Sequence, residues 1–252
     1  MDLQKDLDRL HQWSSLWQMK FNADKCHLMR FTIRQNITDA KYHLGGQPLS
    51  SVSEYPYLGV LLSTDTLWQK HLTQVSNKAT RMLGLLQRNL RSSSRKIREM
   101  AYCALVRQKL EYCSTVWSPY FDKDIKKLEA IQRRAARFVL QRYYRRDSVT
   151  SMIDHLGWKS LEWRRNAASL AMLYKIQHNL VAINPALYIS PMTPSITRSY
   201  HPSKLEELSA RTKRYSYAFF PRSVILWNSI PTAIHAAPSV DAFKDGVAAE
   251  LR

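Results

Sequence analysis

The chain has 252 residues, 45% of them hydrophobic, enough to fill the core of one large domain or two small ones. Its 38 lysines and arginines face only 20 aspartates and glutamates, and a formal charge of +18 exceeds what solubility requires and points to a polyanion, nucleic acid above all, as the partner. Cys26, Cys103 and Cys113 lack zinc-knuckle or redox spacing, Met1 to Asp6 carry no apolar signal core, and no window reaches the ~18 apolar residues of a membrane span. A metal finger, a disulfide scaffold and a membrane protein are therefore not expected; a soluble intracellular protein, nuclear or cytoplasmic, is.

Taken in chain order, Leu3, Leu7, Leu10, Trp13 and Trp17 recur at helical spacing and predict an amphipathic first helix whose apolar side needs something to pack against. From Met29 the pattern alternates, with Met29, Phe31 and Ile33 opposite Arg30, Thr32 and Arg34, as in a half-buried strand. Tyr42 to Leu44 run into the turn signal Gly45-Gly46, and Tyr57 to Leu62 read as a further, more buried strand. After Asp65 the pattern turns helical, starting with Trp68, Leu72, Val75, Ala79, Met82, Leu86 and Leu90, and further helices are predicted at 95–112, 122–142, 148–156, ended by Gly157, and 161–178. Four prolines between Asn184 and Pro202 predict an extended connection, and the apolar residues of 217–227 predict a tail docked back on the helices. The expected fold class is α+β: a small antiparallel sheet within residues 27–63, packed on the first helix, then a mainly helical remainder.

The strongest chemical signal is the stretch from Lys123 to Arg146, with nine lysines and arginines against Asp124 and Glu129. On a helix, Lys126, Arg133 and Arg137 share a face, with Lys127 and Arg134 beside them, while Leu128, Ile131, Ala135 and Phe138 line another. Such a stripe can follow a phosphate backbone, or it can be a solvated face paired with acids of the tail such as Glu206 and Glu207. Tyr143 and Tyr144 beyond it either stack on bases or sugars or belong to the core. A second basic group, Arg88, Arg91, Arg95, Lys96 and Arg98, flanks Ser92-Ser93-Ser94, which can offer donors to phosphate or serve as a plain helix connection.

No catalytic constellation accompanies these residues. The twelve aspartates include no adjacent pair, whereas two-metal phosphoryl chemistry needs carboxylates that bridge ions about 3.5–4 Å apart. The histidines and cysteines have no ligand spacing, no glycine-rich phosphate loop can be written, and Asp154 with Glu162, Arg164 and Arg165 is too loose a set for a nuclease.

Several short pieces, in order, carry a resemblance: Leu3-Gln4-Lys5-Asp6-Leu7, Trp13, Trp17 and Phe21 to Cys26; Tyr57-Leu58-Gly59-Val60; Trp68 and His71; Leu110-Glu111-Tyr112 and Val116-Trp117-Ser118-Pro119; Leu128-Glu129 and Ile131 to Arg137; Phe219-Phe220-Pro221 and Trp227 to Pro231. With them the chain resembles the C-terminal part of reverse transcriptases (RNA-directed DNA polymerases) from non-LTR, LINE-type, jockey-like retrotransposons. The resemblance implies a palm remnant over residues 1–66, a helical thumb-like domain over 67–183 and a proline-containing connection and C-terminal extension over 184–252. It places Lys25 at the family's motif D lysine and Tyr57, Leu58, Gly59 and Val60 on the primer-grip hairpin. The catalytic Asp-Asp hairpin of the family would precede Leu3 and has no counterpart. The implied function is a polymerase fragment, inactive alone and without a cofactor, since magnesium belongs to the intact family member; it would bind the backbone of RNA or an RNA–DNA hybrid. The alternative is a nucleic-acid-binding or protein-interaction module adopted by a host.

Overall fold

Leu3, Leu7, Leu10, Trp13 and Leu16, three or four residues apart, carry the first helix, α1 (Leu3–Leu16), while Trp17 falls in the turn after it. The computed structural model describes residues 3–32, 40–144, 146–194 and 201–250. They divide into two compact units, Met1–Thr73 and Gln74–Arg252.

In the first unit the expected docking of α1 is reversed. Its apolar stripe stays exposed at Leu10, Trp13 and Leu16, and the polar side does the docking. Gln4 donates to the His43 carbonyl and accepts from its N–H, both at 3.0 Å, so one side-chain amide pairs with a strand as a neighbouring strand would. That strand, β2 (His43–Leu44), is joined to β3 (Gln47–Pro48) by Gly45-Gly46, both at positive φ. The turn suits the two-residue hairpin loop in which both residues are left-handed. At Gly45 a Cβ would also lie 2.8 Å from the exposed His11 ring of α1, which would have to turn aside, so the positive φ is the main reason for glycine there.

The predicted strand from Met29 does not form. Only β1 (His27–Leu28) is extended, pairing in parallel with β4 (Ser50–Ser51); Met29 to Thr32 are irregular, and Ile33 and Arg34 lie outside the described residues. Alternation alone does not make a strand when no neighbour accepts its backbone hydrogen bonds. The stretch Tyr57 to Leu62 is likewise not one strand. It is the tip of a hairpin, β5 (Glu54–Tyr57) and β6 (Val60–Ser63), turned by Leu58 and Gly59 at φ +46° and +84°. Among the described residues there is thus no single antiparallel sheet but three two-stranded ladders, one of them parallel. His71, buried just after them, accepts the Leu61 N–H on Nδ1 at 3.1 Å and so ties β6 to the helix that follows.

That helix, α2 (Gln69–Asn89), runs on into the second unit, where Val75, Ala79 and Leu86 are buried as predicted, and Leu83 is buried in place of the predicted Met82, which is half-buried. Ser94 then caps α3 (Arg95–Ala101), its Oγ accepting the Ile97 N–H. The expected single helix over 95–112 is interrupted: a π-helical segment, Tyr102–Arg107, separates α3 from α4 (Gln108–Glu111). Tyr102, Val106 and Leu110 are all fully buried. A four-residue spacing drifts about 40° per step on an α-helix, and the wider π turn offsets that drift. After a short α5 (Ser114–Trp117), α6 (Asp122–Leu140) packs against α3, α7 (Val149–His155) and α8 (Leu161–Gln177). Ser148 and Ser160 cap α7 and α8, and Gly157, at φ +65°, stops α7 as expected.

A polar chain crosses this core. The Tyr102 hydroxyl donates to Gln132 Oε1 at 3.0 Å, and Gln132 Nε2 donates to the Lys159 carbonyl at 2.9 Å. Burial pushes the Tyr102 phenol above its usual range, so it remains a donor. The tail docks as predicted. After α9 (Lys213–Ser216), α10 (Phe219–Ser229), α11 (Thr232–His235) and α12 (Val240–Glu250) bury Val224, Trp227, Phe243 and Val247 against Leu170, Leu173 and Tyr174 of α8. Truncating a tryptophan so enclosed costs about 3–5 kcal/mol. The proline-rich connection is anchored rather than loose where it is described: Ile189 and Leu205 enter the same core, and Pro191 bridges Leu205.

Candidate nucleic-acid interface

Helix α6 separates its residues as the pattern predicts. Leu128, Ile131, Ala135 and Phe138 are buried, and Lys126, Lys127, Arg133 and Arg134 are exposed, with Arg137 half-buried. At about 100° per residue, Lys126, Arg133 and Arg137 fall within about 40° of one another, and Arg134 and Lys127 lie about 80–100° to one side of the centre of that face. From Lys126 to Arg137 the stripe runs about 17 Å at 1.5 Å per residue.

The charges of this stripe are largely unspent. Lys126 and Arg133 make no hydrogen bond or ion pair with the described residues, Arg134 Nη2 donates to Thr80 Oγ1 of α2 at 3.0 Å, and Arg137 Nη1 makes a long 3.4 Å bond to the Tyr144 carbonyl. None of the three arginines pairs with Glu206 or Glu207, the rival reading from sequence. Glu129 does not neutralise the face either: its Oε1 accepts the Glu162 N–H at 2.9 Å and caps α8, and burial raises its pKa. Along the helix Lys126 and Arg133 are about 10 Å apart, near one Debye length at 0.1 M salt, while Arg133 and Arg137 are about 6 Å apart and repel within it, a repulsion that an incoming phosphate relieves.

The fold brings part of the second basic group to the end of this stripe. Arg91 and Ser92, in the turn between α2 and α3, line one polar groove of about 700 Å³ together with Gln141 and Tyr143, which follow α6. Gln141 Nε2 donates to the Arg91 carbonyl and closes the junction. Gln141 owes its place to a left-handed C-cap conformation, φ +54°, and no periodicity would have singled it out. Tyr143 and Tyr144 are 59% and 72% exposed, which removes the core reading for both. Arg146 lies over the Tyr144 ring at 5.8 Å.

Other members of the second group divide. Arg88, Arg95 and Lys96 are exposed, Arg95 bonding His155 Nε2 at 2.9 Å. Arg98 is a correction: it is buried, and its Nε and Nη2 donate to the Val139 carbonyl at 3.1 and 2.9 Å, a cation on the C-terminal carbonyls of α6. Ser94 is spent as the α3 cap. Lys25 is exposed in a 3₁₀ turn of the first unit, where its carbonyl accepts from the Tyr55 hydroxyl, and Tyr57 to Val60 form the β5–β6 hairpin tip, with Leu58 72% exposed. Among the described residues no group of three or more His, Cys, Asp or Glu converges to hold a metal ion, and no helix is long and apolar enough to cross a membrane.

No family model matches the chain, and no solved structure matches it significantly. Curated proteins do. An RNA-directed DNA polymerase from mobile element jockey of Drosophila funebris is 30% identical over 141 residues, 54% of this chain. A probable RNA-directed DNA polymerase from transposon X-element of Drosophila melanogaster is 25% identical over 52% of the chain, and the jockey polymerase of the same species is 30% identical over 33% of it. The matched region spans only 15%, 15% and 10% of those relatives' lengths. The chain is thus related, over about half its own length, to the RNA-directed DNA polymerases of jockey-type mobile elements.

Proposed function

We propose that the chain is a reverse-transcriptase-related fragment that grips the phosphate backbone of RNA or an RNA–DNA hybrid and does not itself polymerise DNA. The observation that carries this reading is the stripe of exposed Lys126 and Arg133 and half-buried Arg137, flanked by Lys127 and Arg134 and continued at one end by the groove of Arg91, Gln141 and Tyr143. Arg88, Arg95 and Lys96 extend the positive surface, and Tyr143 can stack on a base or sugar at the groove. In this reading the helices from Trp68 onward act as the thumb that holds a duplex, and Lys25 and Tyr57 to Val60 are vestiges of the palm. Magnesium has no role, because the aspartates lie scattered along the chain and no two are adjacent.

Contacts of this kind neutralise phosphates and release condensed counterions, so affinity must fall steeply and linearly on a log–log plot against salt. The test is a titration of the full chain with an RNA–DNA hybrid at several salt concentrations and in two unrelated base sequences. The expected result is a slope of several units that is the same for both sequences. A slope near zero, or a strong preference for one sequence, would reject backbone binding.

A further inference from the structure

Arg165 of α8 is only 1% exposed, yet neither Nη1 nor Nη2 of its guanidinium has a hydrogen-bond partner among the described residues. Arg222 of α10 lies close by; its Nη2 donates to Ser169 Oγ at 3.2 Å, while its Nε is buried and unpartnered. Two like charges, one buried and one partly buried, with three donor nitrogens unspent form a costly arrangement, since an unpaired buried donor forfeits its hydration without a replacement, the more so when it is charged. Burial, with the Arg165 charge adding to it, brings the Arg222 guanidinium down to about 10, and burial lowers Arg165 as well. Glu129, Glu162 and Glu111 act on Arg165 through space without bonding it.

Both arginines line one cavity of about 300 Å³, with Ser118, Asn166 and Tyr217. Tyr217 is held there by a parallel stack on Tyr120, centroids 4.5 Å apart and planes 8° apart. Asp122 and Glu162 also line it, both with exposed side chains. The cavity shares no lining residue with the groove at Arg91. We propose that this cavity is a second, separate anion site, built on Arg165 and Arg222, that takes a single phosphate group. Phosphate suits it better than a carboxylate because four oxygens can accept from the unspent guanidinium N–H groups and from the Ser118, Asn166 and Tyr217 donors together. The small volume admits a phosphate but not a duplex. Its source is either free phosphate or the phosphorylated end of an oligonucleotide.

Thermal unfolding of the full chain, in inorganic phosphate against chloride at matched ionic strength, tests the site. A phosphate bound only by the folded protein should raise the melting temperature saturably, by roughly 5–10 °C at a hundred times its dissociation constant. The rise should persist in an Arg133→Gln/Arg137→Gln variant, which separates it from the helix stripe, and vanish in Arg222→Gln. Asn166→Leu, which narrows the cavity but keeps both arginines, should also abolish it and serves if Arg222→Gln does not fold. If only a 5′-phosphorylated short oligonucleotide, and not its 5′-hydroxyl counterpart or inorganic phosphate, gives the rise, the source is a nucleic-acid end. No rise with any of these probes overturns the proposal, as does a rise that survives Asn166→Leu. So does a Glu162→Gln variant that melts lower while phosphate leaves the wild type unmoved, because Glu162 would then be the arginines' partner.

Discussion

Replacing Arg133 and Arg137 together by glutamine isolates the helix stripe with little collateral damage. Arg133 is exposed and unpartnered, so its loss should change stability by no more than about 0.5 kcal/mol. Arg137 gives up one 3.4 Å bond to the Tyr144 carbonyl, worth at most about 1 kcal/mol. Glutamine matches arginine closely in helix propensity, and about 1 kcal/mol in a chain of this size moves the melting point by roughly 2–4 °C. Binding should change far more. Each lost phosphate contact flattens the log-affinity against log-salt slope by about 0.9, so the pair should flatten it by about 1.8. Between 50 and 200 mM salt the wild type should then lose about tenfold more affinity for an RNA–DNA hybrid than the variant does. Fluorescence anisotropy at four salt concentrations, with a melting curve on each protein, measures both quantities. An unchanged slope refutes the phosphate-binding role, and an unchanged slope with a melting point lowered by more than about 5 °C would instead make the two arginines structural.

The purified chain should show no primer extension on any template with magnesium present; labelled nucleotide incorporated above a protein-free control would contradict this. Amide exchange should be faster in residues 43–63 than in α2, α6 and α8, because ladders of two strands with open edges unfold locally at little cost; stronger protection of the hairpins would reverse that order. His235 is buried, with Nε2 2.9 Å from the Trp227 carbonyl, Nδ1 2.8 Å from Ser203 Oγ and its ring stacked on Trp227 at 4.3 Å. Burial lowers its pKa below 6.5, and His201 and Lys204 act in the same direction, against the Trp227 carbonyl, which raises it. The unfolded chain therefore takes up the proton first as pH falls, so the stabilisation is present above about pH 6.5 and is lost progressively below it. A His235→Gln variant should show a weaker fall in melting temperature than the wild type between pH 7 and 5; parallel curves would remove His235 from the acid sensitivity.

Amino-acid order alone determined the features that depend on short range. Helices α2, α6 and α7 are legible because apolar residues recur at 3.6-residue spacing, and Ser148, Gly157 and Ser160 punctuate α7 and α8. The charged stripe is legible for the same reason, since the period that buries Leu128 and Ile131 also turns Lys126 and Arg133 outward. Periodicity failed where the outcome rests on a partner far along the chain. Met29 to Thr32 alternate like a strand, but the ladder of β1 stops after two residues; α1 reads as an amphipathic helix that docks by its apolar side, but Gln4 and its polar side meet the hairpin. Arg98 and Arg133 look alike in sequence, and only packing sends one to the carbonyl of Val139 and leaves the other free. Tertiary structure alone joined Arg91 to Gln141, fifty residues apart, and set Arg165 beside Arg222, because burial and long-range pairing depend on where the helices cross rather than on spacing within any one of them.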